Sequence, residues 1–104
     1  MQVTEFVEAP DGNSVKLANV LDIAAAPPLR DALIGAMSSD APFKVDAAAV
    51  ERISTPCVQV ILAAAKAMEQ SNREFTLFGP SDAFVTAFDD LGLFPVISTW
   101  RIDS

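Results

Sequence analysis

The sequence predicts an α/β domain, with three main helices packed on a mixed sheet of four to five strands. Short runs of alternating apolar side chains, such as Phe43-Lys44-Val45-Asp46-Ala47, recur between segments whose apolar residues fall at helical spacing. The resulting order is β-β-α-β-α-β-α, and its three strand-to-helix passages are what an α/β sheet requires. The chain has 104 residues, 51% of them hydrophobic, enough for one core and not for two, so residues 1–104 read as a single domain.

Val3 to Glu8 and Ser14 to Val20 are the first two strands, joined through the turn cluster Pro10-Asp11-Gly12-Asn13 as a hairpin. In the second strand Val15, Leu17 and, less regularly, Val20 face one side, with Lys16 and Asn19 on the other. Leu21-Asp22-Ile23 leads into Ala24-Ala25-Ala26-Pro27-Pro28, and prolines fit a first helical turn, where their missing N–H has no partner to lose. Leu29, Leu33, Ala36 and Met37 carry that helix to about Met37. Ser38 to Pro42 is a loop, Phe43 to Ala47 a strand, and Val50 to Ile53 a short link.

Val58, Ile61, Leu62, Ala65 and Met68 then mark the clearest amphipathic helix in the chain. Glu74 to Phe78 is a further strand, with Phe75 and Leu77 on one face, and Gly79-Pro80 ends it. Ser81 or Asp82 caps a helix carrying Phe84, Val85, Phe88 and Leu91, which Gly92 stops. The tail from Phe94 to Ile102 fits a short strand and an irregular segment equally well.

Composition narrows the function. No histidine is present, which removes imidazole bases, Ser-His triads and His-ligated metals. Cys57 is the single cysteine, so neither an internal disulfide nor a cysteine zinc site is expected, and no cofactor is implied. Seven Lys and Arg against fourteen Asp and Glu give a net charge of −7, and the basic residues are scattered singly. Nucleic acid and anionic membrane are therefore poor partners, because no basic patch neutralises phosphates. The longest apolar run, Val60 to Ala65, is far short of the roughly 18 residues of a membrane span, and the amino terminus does not read as a signal peptide. A soluble, cytoplasmic domain is expected, with a protein or a small molecule as its partner.

The informative stretch runs from Val45-Asp46 to Ile61, where hydroxyl residues stand at the start of the most amphipathic helix. The plain reading makes Ser54 or Thr55 an N-cap and Pro56 an early helical residue, worth about 1 kcal/mol. The functional reading uses the same geometry: a helix amino end favours an anion, and a phosphate on Thr55 would add about −1.5 to −2 charge to an acidic surface. Cys57 reads as a small packed residue, Asp82, Asp89 and Asp90 as a solvated helix face, and Phe84 and Phe88 as core. Trp100 either covers the sheet edge or anchors a partner.

Leu21-Asp22, Val45-Asp46-Ala47-Ala48-Ala49-Val50, Ile53 to Leu62, Phe75 to Ser81 and Leu91-Gly92-Leu93 together resemble the STAS domain, found in sulfate transporters and anti-sigma factor antagonists. The resemblance runs in order along nearly the whole chain. In antagonists of that family the loop before the second helix reads Asp-Ser-Ser-Gly or Asp-Thr-Ser-Gly. The hydroxyl after the Asp is phosphorylated by a partner kinase that is also the anti-sigma factor. On this sequence Thr55 takes the phosphoacceptor position, while Ser54 replaces the Asp, Pro56 the second Ser and Cys57 the Gly. Asp22 matches an acidic residue of the neighbouring loop.

The resemblance thus implies a non-enzymatic partner switch, in which Asp22, Ser54, Pro56, Cys57 and Gln59 dock a kinase-fold anti-sigma factor or related histidine-kinase-like protein. Phosphorylation of Thr55 controls that docking. The alternative it also accommodates is a constitutive subunit or adaptor of an ABC lipid-transport complex or a chemotaxis-type signalling array, with Thr55 unmodified.

Overall fold

Alternation in the strands and 3.6-residue periodicity in the helices together bury one face of a parallel sheet. The computed structural model describes residues 14–37 and 43–103. The expected strand Val3 to Glu8, its hairpin turn and the loop Ser38 to Pro42 lie outside them. Strands β1 (Ser14–Lys16), β3 (Phe43–Asp46), β5 (Phe75–Phe78) and β6 (Arg101–Asp103) form a sheet in the order β1-β3-β5-β6. Each of these pairings is parallel. Two further strands, β2 (Val20–Leu21) and β4 (Arg52–Ile53), make a separate parallel ribbon.

Parallel neighbours need long crossovers, which helices α1 (Ala26–Ala36), α2 (Thr55–Gln70), α3 (Asp82–Asp90) and α4 (Phe94–Ile97) supply. Register sets the core. Phe43 lies opposite Phe75 and Val45 opposite Leu77, with Val15 beside Val45, so apolar rows run across the strands. Leu29 and Leu33 of α1, Val58, Ile61, Ala65 and Met68 of α2, and Phe84 and Phe88 of α3 complete one buried cluster with them.

Trp100 joins that cluster at its margin. It meets Phe75 edge-on with ring centroids 5.0 Å apart and Phe88 at 5.9 Å, contacts worth about 0.5–1.5 kcal/mol each beyond the area they bury. Its ring is therefore packed within the chain, though only partly buried.

Helices α2 and α3 both end next to left-handed residues. Gly92 has φ 75°, and the Leu93 N–H reaches back to the Phe88 carbonyl at 2.9 Å, which satisfies a carbonyl the helix leaves open. Asn72, at φ 55°, ends α2 in the same way, with Arg73 N–H on the Met68 carbonyl at 2.9 Å.

Two segments depart from the sequence expectation. Ser14 to Val20 is not one strand: it breaks after Lys16, and Val20–Leu21 leaves the main sheet to pair with Arg52–Ile53. The undecided tail resolves into a four-residue helix, Phe94–Ile97, and the edge strand Arg101–Asp103. Leu91, expected within the helix that carries Phe84 and Phe88, is exposed and stands just past its end at Asp90.

Candidate functional site

The two-residue ribbon positions the site. Leu21 lies opposite Ile53, so the turn that follows β2 and the first turn of α2 emerge side by side. Backbone bonds fix them: Glu51 N–H donates to the Asn19 carbonyl at 2.7 Å and Ser54 N–H to the Leu21 carbonyl at 2.8 Å. The Asn19 side-chain amide adds a bond to the Glu51 carboxylate at 3.1 Å.

Asp22 then caps the 3-10 turn Ile23–Ala25, its carboxylate accepting the Ala25 N–H at 3.2 Å. From α2 the Cys57 thiol donates to the Asp22 backbone carbonyl at 3.3 Å. Asp22 is thus held against the amino end of α2 by bonds on both sides of it.

Thr55 is the first residue of α2 and its side chain is exposed. Ser54 stands at the N-cap position with extended backbone, yet its side chain makes no capping bond. Its hydroxyl oxygen is buried and finds no well-formed hydrogen bond. The expected hydroxyl cap is therefore absent, and the two hydroxyls differ: Thr55 faces outward and Ser54 inward. Pro56 is half-buried within the first turn and removes one amide donor from the helix end. Gln59, one turn on, is exposed.

Cys57 is fully buried, so its thiol ties the Asp22 loop from inside rather than presenting a surface to a partner. Burial pushes the thiol pKa above its ordinary value; the neighbouring Ser54 hydroxyl pulls it down and the Asp22 carboxylate adds to the rise. A buried, protonated thiol is a packing group, not a nucleophile.

Sequence reasoning missed Ile23. Its side chain is 71% exposed beside Asp22, on a turn that packs against α2. An isoleucine directly after the acidic turn residue was the available signal. It also missed a groove of about 450 Å³ along the seam of α1 and α2, which Pro56 and Gln59 border and Leu33, Ile34 and Val60 line. Asp82, Asp89 and Asp90 are exposed on α3.

The architecture is that of a small α/β module in which the exposed Thr55 opens α2 next to the turn that carries Asp22. The family model described as Mlab, STAS domain matches residues 5–95, and the chain belongs to the STAS family. A crystal structure of a Thermotoga maritima protein, provisionally described as an anti-sigma factor antagonist, is similar with a TM-score of 0.71. That similarity covers 97% of this chain and 86% of the other at 17% identity, so it speaks for the fold. No curated protein matches the chain. Among the described residues no helix is long and apolar enough to cross a membrane.

Proposed function

We propose that this STAS protein is a non-enzymatic docking module of the cytoplasm. It presents the corner formed by Asp22, Thr55, Pro56 and Gln59 to a kinase-fold anti-sigma factor or related histidine-kinase-like protein. The observation that carries this reading is the outward Thr55 side chain at the start of α2, beside an Asp22 loop fastened to the same helix.

Ile23 supplies an apolar contact at that corner, and the surrounding polar groups supply orientation; exposed apolar anchors ringed by polar groups are what small docking surfaces use. A phosphate on Thr55 adds about −1.5 to −2 charge next to Asp22 and places a solvated anion in the contact. The helix end tolerates that charge, whereas a closely packed or acidic partner surface does not. Docking weakens, and the partner is released.

Pro56 favours a second reading. With its N–H gone, the helix end offers a phosphate one donor fewer, which suits a constitutive subunit or adaptor in a transport or signalling assembly. One comparison separates them. Thr55→Glu is expected to weaken partner binding about tenfold while Thr55→Val leaves it within about twofold. Equal binding of Thr55→Glu and the parent would remove the switch and favour the constitutive module.

A further inference from the structure

A second groove, of about 700 Å³, lies on the other flank of α2, between that helix and the α4–β6 segment. Its size is that of a small-molecule site. Three large apolar side chains on its floor, Leu62, Leu93 and Trp100, are packed against the core but only partly buried, so each leaves apolar surface turned outward. Nothing in the docking reading uses them: Lys66 of this groove is eleven residues beyond Thr55, about 16 Å along the helix.

The rim has a charge character unlike the rest of the chain. Lys66, Arg73 and Arg101 are three of the protein's seven basic residues, and they face two acids, Glu69 and Glu74, in a chain whose acids outnumber its bases fourteen to seven. Arg101 is engaged by Glu74 at 3.1 Å and Asp103 at 3.5 Å, and Arg73 donates to the Met37 carbonyl at 2.6 Å. Lys66 makes no ion pair with any described residue. A cation that forms no ion pair with the described residues, beside an apolar lining, is matched by one chemistry: an anion carried on an apolar body.

We infer that this groove binds a small anionic amphiphile, its head on Lys66 and its chain over Leu62, Leu93 and Trp100. Arg73 and Arg101 frame the head without releasing their present partners. The apolar body supplies the affinity through the surface it covers, and Lys66 selects against neutral chains of the same length.

Trp100 is the single tryptophan and lines the groove, so its fluorescence reports occupancy directly. Decanoate, decanol and acetate are titrated separately into the parent protein and into Lys66→Gln, with decanoate kept below its micellar concentration. The expected result is a saturable change in Trp100 emission with decanoate, about tenfold weaker with decanol, and none with acetate. Lys66→Gln is expected to bind decanoate about tenfold more weakly with an unchanged thermal melt, since the side chain is exposed. No saturable response to decanoate, equal affinity for decanol, or undiminished decanoate binding by Lys66→Gln would each overturn the inference.

Discussion

Ser54 and Ser81 both occupy N-cap positions, and replacing each by alanine separates a hydroxyl that holds the fold from one that does not. Ser81 Oγ accepts the Phe84 N–H at 3.1 Å and donates to the Val50 carbonyl, thirty-one residues away, at 2.6 Å. It closes the first turn of α3 and pins that turn to the segment before β4. Removing the cap costs about 1 kcal/mol, and the lost bond to a carbonyl in the interior adds about 1 more. Ser81→Ala is therefore expected to lose about 2 kcal/mol, a fall of roughly 10 °C in Tm for a domain of this size.

Ser54 makes no such bond, and its hydroxyl is buried without a well-formed partner. Ser54→Ala is expected to stay within about 0.5 kcal/mol of the parent, because it deletes a buried hydroxyl that makes no well-formed hydrogen bond. Urea denaturation followed by circular dichroism measures both; with m near 1–1.5 kcal/mol/M, Ser81→Ala shifts the midpoint by about 1.5 M. Equal losses in the two variants would refute the reasoning. Ser54 would then cap α2, and the inward and outward roles given to Ser54 and Thr55 would fall.

Other outcomes follow from single contacts. Cys57 is buried and its pKa is raised, so native protein is expected to react with Ellman's reagent far more slowly than the urea-unfolded chain. Because folding favours the neutral thiol, its contribution is complete through neutral pH. It is lost as pH rises past the ordinary thiol range to the higher folded value, and Cys57→Ala should lack that alkaline decline in stability. Gly92→Ala is expected to cost about 1 kcal/mol, since the position has φ 75° although a Cβ there meets nothing within 4 Å. Gly35→Ala, inside α1 with equally open space, is expected to gain about 0.5–1 kcal/mol, and thermal melts of the pair show the opposite signs.

Elements long enough to repeat their period were legible in the sequence. Val58, Ile61, Ala65 and Met68 share one buried face of α2, and Phe43, Val45, Phe75 and Leu77 alternate inward, as their spacing implies. Strands of two residues carry no period, which is why the sequence shows Val20–Leu21 and Arg52–Ile53 only as the end of one strand and a link. Their pairing depends on contacts across thirty residues, and no local pattern encodes it. The four-residue helix after Gly92 is too short for a periodic signal, though Pro95 in its first turn was a hint.

At the site, residue types showed where hydroxyls and an acid would stand but not which way they point. Ser54 and Thr55 are neighbours in sequence, and only the entry angle of α2 turns one inward and the other outward. Cys57 shows the same limit: an apolar context predicted packing, and its bond to the Asp22 carbonyl required the ribbon that brings the two loops together.

The corner's role as a regulated docking site is tested most directly by capturing tagged parent and Thr55→Glu proteins from native cells, with quantitative mass spectrometry of bound proteins and of Thr55 itself. The expected result is a kinase-fold partner on the parent, about tenfold depleted on Thr55→Glu, with phosphate on Thr55 in the uncaptured pool. The same partner retained equally by both proteins, with Thr55 never modified, would contradict it.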